Sequence, residues 1–369
     1  MKMTFILSLC SGVGKHLSRS LEEGAEFQIE VNFPPCQLVN HLLDKAERTF
    51  DKLSIVQPSP QGLEVIVARS AGTCFGVEAA IELAEKHRKP ILGPIVHNPK
   101  IVQDLANEGI PILERYQELE SLNEKGIREV VITAHGYPKE LKERLVEKGI
   151  QFHDATCPVL LKWVYRKIRT FEDNGYCIIL IGNPNHAEII ASRSYGKNIH
   201  VVYSEKEVDA LPGDLGKTIA ICQTTITRDK FQLLVDYIRA TKYPEMKAVD
   251  TRCKPVKNQQ QAVTDLAQWV DAMLIIGGYD SSNTTNLARL AQKFLPNKTY
   301  HIDSPDLVKL EWLQGISNLG IGAGTSTPKS QIDEVQRRVA ELYPGKVFFR
   351  RESTDGEILD GDFSMEDEF

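Results

Sequence analysis

The sequence lacks the features that define several common protein classes. No apolar run approaches the ~20 residues of a membrane helix, and Phe5–Cys10 is too short for a secretory signal core and has no cleavage site after it. A cytoplasmic chain that does not enter a membrane is expected. No basic block is present either. Of 50 acids against 44 bases, eight acids and no base fall in Glu352–Phe369, which leaves a nearly neutral body. A sequence-independent nucleic-acid binder carries a basic face, so no nucleic-acid partner is expected. Cys-x-x-Cys pairs are absent, which argues against zinc ribbons and thioredoxin-like sites, and seven cysteines in a cytosolic chain do not read as a disulfide framework. Neither a Gly-x-x-x-x-Gly-Lys-[Ser/Thr] loop nor a Gly-x-Gly-x-x-Gly fingerprint occurs, which argues against ATP or a nicotinamide dinucleotide.

What is present suits a globular protein of two or three domains: 369 residues, 42% of them hydrophobic. Residues 1–62 read as a separate extension. Phe27, Ile29, Val31 and Phe33 alternate as in a strand, and Val39, Leu42, Leu43, Ala46 and Phe50 follow helical spacing. Gln57-Pro58-Ser59-Pro60-Gln61-Gly62 reads as a linker, and the extension carries no chemical motif. From Glu64 onward one arrangement returns: a β-branched run, a turn of small and polar residues, then an amphipathic helix. Val65–Val67, Val130–Ile132, Cys177–Ile181, Ile219–Cys222, Leu274–Ile276 and Leu319–Ile321 each lead into such a turn. This alternation predicts an α/β fold with parallel sheets. Ligands in such folds collect beyond the carboxyl ends of the strands, where helix N-termini offer free N–H groups.

The cysteines divide by context. Cys177 and Cys222 sit inside apolar strand runs, where a free cysteine acts as a small hydrophobe. Cys10 and Cys36 belong to the extension. Cys74, Cys157 and Cys253 stand 83 and 96 residues apart, each between a strand and a helix, where the helix N-terminus lowers a thiol's pKa. Three thiolates without a fourth suggest a soft metal centre with one open position. Spacing leaves two options, a catalytic zinc or an iron–sulphur cluster short of its usual fourth cysteine. His97, His135, His186, Ser281, Ser282, Asn283 and Ser326 fall at strand ends and form a set of donors suited to a diphosphate. Glu188, two residues after His186, can relay a proton if burial raises its pKa, or it merely opens the helix that follows.

Gly72-Thr73-Cys74-Phe75-Gly76-Val77, Val96-His97-Asn98, Ala134-His135-Gly136, Asp154-Ala155-Thr156-Cys157-Pro158, His186-Ala187-Glu188, Gln223-Thr224-Thr225, Ser281-Ser282-Asn283 and Ala323-Gly324-Thr325-Ser326 follow one another in this order. In this the chain resembles the 4-hydroxy-3-methylbut-2-enyl diphosphate reductase (LytB) family, from about Glu64 to about Tyr343. The resemblance implies three similar βα units, 63–157, 158–252 and 253–345, around a central [4Fe–4S] cluster held by Cys74, Cys157 and Cys253. Beyond the resemblance, charge composition reads the end of the chain, 346–369, as an acidic, disordered and solvated tail. The resemblance implies that His97, His135, His186, Ser281, Ser282, Asn283 and Ser326 hold the diphosphate, that Thr224 lies near the substrate hydroxyl, and that Glu188 delivers the proton. The implied reaction is reductive loss of the allylic hydroxyl from (E)-4-hydroxy-3-methylbut-2-enyl diphosphate, giving isopentenyl and dimethylallyl diphosphates, with electrons from ferredoxin or flavodoxin.

The chain departs from the family pattern after its third cysteine. Cys253-Lys254-Pro255-Val256-Lys257-Asn258-Gln259-Gln260 replaces a small-Thr pair followed by Asn-x-Arg-Gln, so Val256 cannot give the hydroxyl that a threonine would. Ala187 stands where a proline is common. This altered segment motivates the alternative of an iron–sulphur sensor or regulatory paralogue without turnover.

Overall fold

The computed structural model describes residues 62–114, 121–352 and 358–360, all within one compact unit, Ser54–Phe369. The strand and helix expected in the N-terminal extension, with Cys10 and Cys36, lie outside the described residues.

In chain order the elements are β1 (Gly62–Val67), α1 (Phe75–His87), β2 (Ile91–Leu92), α2 (Pro99–Asn107), β3 (Ile112–Leu113), β4 (Glu129–Ile132), α3 (Lys139–Glu147) and β5 (Gln151–Asp154). Next come α4 (Leu161–Asp173), β6 (Cys177–Ile181), α5 (Ala187–Arg193), β7 (Ile199–Val202), α6 (Glu205–Asp209), β8 (Thr218–Cys222), α7 (Arg228–Thr241) and β9 (Lys247–Ala248). The last group is α8 (Lys254–Leu266), β10 (Ala272–Ile276), α9 (Ser282–Gln292), β11 (Thr299–Ile302), β12 (Asn318–Ala323), α10 (Lys329–Leu342), β13 (Lys346–Glu352) and β14 (Ile358–Asp360). They form three sheets, ordered β3-β2-β4-β5, β7-β6-β8-β9 and β11-β10-β12-β1-β13-β14. The first two are parallel throughout, and in the third only β14 runs antiparallel. Each β-branched run expected to be a strand is one. β6, β8 and β10 are buried along their whole length, as central strands covered on both faces must be.

The three sheets are handed on through the cysteines. β1 ends before Cys74, yet Val77, Ala80 and Ala84 of α1 pack with Ile91 and Val131 of the first sheet. β5 ends before Cys157, and Val164 and Ile168 of α4 pack with Ile178 and Leu180 of the second. β9 ends before Cys253, and Ala262, Val263 and Leu266 of α8 pack with Met273 and Ile275 of the third, beside Ile66 of β1. Each cysteine therefore sits where the chain leaves one sheet and begins to cover the next, and β1 closes the ring.

The sheets consequently do not follow the linear spans. β1, which opens 63–157, lies in the third sheet between β12 and β13. Its side chains account for this. Leu63, Val65 and Val67 enter one core and Ile66 the other, so both faces are covered, while its backbone groups pair with β12 and β13, neighbours that a local pattern cannot name. The expected tail is corrected as well: Lys346–Glu352 is strand rather than disordered chain. Arg350 pairs with the buried Glu64 at 3.2 Å. Glu352 is buried and pairs with Arg69, whose guanidinium also reaches Asp265. Charge composition marked Glu352 as solvated, but this ion pair carries it inside. Among the described residues no helix is long and apolar enough to cross a membrane.

Candidate functional site

The carboxyl ends of the strands open on one cavity, about 730 Å³ of empty space with its open mouth included. Cys74, Cys157 and Cys253 line it, together with His97, His135, His186, Glu188, Thr224, Ser281, Ser282, Asn283 and Ser326. Residues from 74 to 326 thus meet at a single place, and no sequence-expected site residue is left outside it. Cys177 and Cys222 are buried in β6 and β8, away from the cavity lining.

Each cysteine turn is tied by its backbone to another cavity motif. The N–H of Cys74 donates to Thr325 O (3.2 Å), that of Cys157 to Ala134 O (3.2 Å), and that of Cys253 to Thr224 O (2.9 Å). Close approach is enforced at Gly76. A Cβ placed there would lie 2.7 Å from Cys157 Sγ and 4.0 Å from Cys74 Sγ, so glycine lets the first turn of α1 pass beside two thiols. Cys74 and Cys253 are the N-caps of α1 and α8, as the sequence suggested, but their thiols titrate upward rather than downward. Burial pushes Cys74 up against the amides of Val77 and Gly76. Burial likewise pushes Cys253 up to about 12, with Cys74, Cys157 and Glu188 adding to the effect. Crowded thiols of this kind ionise when a cationic centre binds them, and the donor set fits such a centre. Among the described residues no three His, Cys, Asp or Glu side chains are placed to hold a single metal ion.

The opposite wall is polar. His97 stacks on His135 with ring centroids 3.9 Å apart, and His186 stands 5.4 Å from His97. His97 precedes α2, whose first turn is capped by the Asn98 side chain, and Ser326 Oγ donates to His97 O at 3.3 Å. Ser281 caps α9, accepting from Thr284 N, so Ser281, Ser282 and Asn283 occupy a helix N-terminus that faces the cavity. Ser282 Oγ accepts from Thr225 Oγ1 at 3.0 Å and from Gln223 Nε2 at 3.2 Å.

Glu188 is in the first turn of α5, which His186 caps through Nδ1 (3.2 Å). Thr224 donates to its carboxylate twice, from N (2.7 Å) and Oγ1 (2.8 Å). Burial outweighs those two bonds and pushes the carboxyl up to about 7. The helix-opening reading therefore describes Glu188's backbone, while its side chain is a buried acid poised near neutrality.

Thr225 of the Gln223-Thr224-Thr225 motif and Val256, the departure after Cys253, also line the cavity, and Gln223 bridges Asn183 N (3.0 Å), Thr225 and Ser282. The motif around Thr224 pointed to Gln223 and Thr225. Gln259 stands in the departing segment after Cys253, but no local pattern gave its side chain a role; its amide joins Ser70, Gly72 and Asn283.

An α/β protein with three thiols, a buried near-neutral carboxyl and an imidazole–hydroxyl–amide wall around one cavity has the parts of a redox or metal-assisted enzyme acting on an anionic substrate. The LytB protein family model matches residues 65–340, and the chain belongs to that family. It is 36% identical over 288 residues to the 4-hydroxy-3-methylbut-2-enyl diphosphate reductase of Caldanaerobacter subterraneus subsp. tengcongensis, covering 76% of this chain and 98% of that protein. The reductase of the same name from Aquifex aeolicus is 36% identical over 298 residues, covering 77% and 99%. A solved structure of (E)-4-hydroxy-3-methyl-but-2-enyl diphosphate reductase, the terminal enzyme of the non-mevalonate pathway, is 33% identical, covers 76% of this chain and 99% of its own, and superposes with a TM-score of 0.54. The E-1-hydroxy-2-methyl-but-2-enyl-4-diphosphate reductase from Plasmodium falciparum, at 24% identity, covers 79% and 92% with a TM-score of 0.70 and shares the fold.

Proposed function

We propose that this chain reduces (E)-4-hydroxy-3-methylbut-2-enyl diphosphate to isopentenyl and dimethylallyl diphosphates, the last step of the non-mevalonate route to isoprenoids. The observation that carries the reading is the meeting of Cys74, Cys157 and Cys253 with the near-neutral Glu188 and the polar wall in one cavity. A [4Fe–4S] cluster held by the three cysteines would relay the carrier's two electrons one at a time and would leave one iron without a cysteine ligand.

The remaining chemistry belongs to the chain. His97, His135, His186, Ser281, Ser282, Asn283 and Ser326 form the wall that holds the diphosphate, with ring N–H and hydroxyl donors beside a helix N-terminus. Thr224 lies next to the substrate hydroxyl and keeps Glu188 turned toward it. Glu188 enters protonated and gives its proton to the departing hydroxyl, which leaves as water. A second proton reaches one of two carbons, which accounts for two products. Burial of the reacting end excludes bulk water. The electrons come from a cytoplasmic carrier of the ferredoxin or flavodoxin type.

Anaerobic reconstitution tests the metal content on which the reading depends. The expected product is a brown protein with about four irons per chain. A colourless protein holding one zinc would contradict it.

A further inference from the structure

Gln259 lies in α8, two turns beyond Cys253, and is 2% exposed. Its side-chain amide has a fixed sense. Nε2 sits 2.9 Å from both Ser70 O and Gly72 O, and main-chain carbonyls only accept, so the nitrogen must face them. Oε1 then faces the other way and accepts from Asn283 Nδ2 at 2.8 Å. That bond in turn fixes Asn283, itself 2% exposed. With Nδ2 committed to Gln259, its Oδ1 is left buried with no partner in the protein, and Asn283 lines the cavity.

We propose that Gln259 is a positioning residue that holds Asn283 with its carbonyl oxygen presented to the cavity, so that the ligand group seated there is an O–H donor. The inference rests on the reading of the cavity as a hydroxyallyl diphosphate site. A buried acceptor left without a hydrogen costs more than the bond it forgoes, so an O–H donor at that place satisfies Asn283 where a fully ionised oxygen cannot. Two parts of the substrate offer such a hydrogen, its hydroxyl and a protonated phosphate oxygen. Gln259 holds more than Asn283. Ser70 has φ +62° and Gly72 φ +116°, so the carbonyls to which it donates belong to the left-handed turn that delivers Cys74. One side chain thereby sets the cysteine turn and the anion wall in register.

Calorimetric binding to the anaerobically reconstituted chain separates positioning from simple packing. Gln259→Met, close to isosteric, should weaken binding of (E)-4-hydroxy-3-methylbut-2-enyl diphosphate about tenfold, the scale of one good hydrogen bond, and change it less than about twofold in an Asn283→Ala background. Gln259→Asn, polar but one methylene too short to span both partners, should give the same loss and serves if the Met variant does not fold. Isopentenyl diphosphate, which lacks the hydroxyl, identifies the donor. If Gln259→Met leaves its affinity unchanged, the hydroxyl is the group at Asn283; if it weakens to the same degree, a protonated phosphate oxygen is, and both results support the proposal. Equal losses in the wild-type and Asn283→Ala backgrounds, or no loss in either Gln259 variant, would overturn it. A wild-type chain that binds neither diphosphate would overturn the underlying reading instead.

Discussion

The acid–base role proposed for Glu188 rests on two opposing influences that are unequal. Thr224 gives its carboxylate two hydrogen bonds, yet complete burial still holds it at about 7, against 4.5 for an unperturbed carboxyl. Glu188→Gln should cut turnover at least ~100-fold, the usual worth of a positioned general acid, while iron content and diphosphate affinity stay at wild-type levels. Parallel loss of iron would show that Glu188 is structural. The pH dependence follows from the same shift. A donor must enter protonated, so wild-type turnover should fall as pH rises through about 7; an activity still climbing at pH 8.5 would contradict the assignment. The stability sign agrees. With its folded pKa raised, Glu188 costs the fold nothing below about 4.5 and progressively more as pH rises through 7, so the Gln variant should gain unfolding midpoint on wild type between pH 5 and 8. Gly76 gives an independent check at this scale. Gly76→Ala sets a methyl 2.7 Å from Cys157 Sγ, and bound iron should fall below half the wild-type value. Full iron content would mean that the thiols are not held as described.

At the scale of elements, the strands were legible and their partners were not. Val65–Val67, Cys177–Ile181 and Leu274–Ile276 announce strands because both faces of each are covered and every position is apolar. Where β1 pairs is a long-range fact: its backbone bonds go to β12 and β13, both far downstream in sequence. The end of the chain misled for a related reason. Eight acids without a base read as a solvated tail, but Glu352 is drawn inside by Arg69, far from it in sequence. Arg69→Met should therefore destabilise the fold by about 3 kcal/mol, the scale of leaving a buried charge unpaired. Chemical unfolding measures this, and a loss under ~1 kcal/mol would mean that Asp265 and solvent suffice. The site was easier to read than the sheets, since its residues all sit at strand-to-helix turns and such turns share one side of a parallel sheet. Gln259 escaped because a glutamine in mid-helix has no local signature. The expected lowering of the cysteine pKa values failed because the helix-terminal amides of α1 and α8 are outweighed by burial.

At the largest scale, the three sheets of the described residues are joined head to tail through three turns, and each turn delivers one cysteine. α1, α4 and α8 each leave a strand of one sheet and cover the next. Cavity and fold are therefore interdependent: a shift of one sheet moves a thiol relative to the other two. The direct test is turnover. Anaerobically reconstituted chain, given reduced viologen and (E)-4-hydroxy-3-methylbut-2-enyl diphosphate, should oxidise the dye only when the diphosphate is present, with two electrons consumed for each isopentenyl or dimethylallyl diphosphate formed. Iron-loaded chain that oxidises no dye and forms neither product would contradict the account.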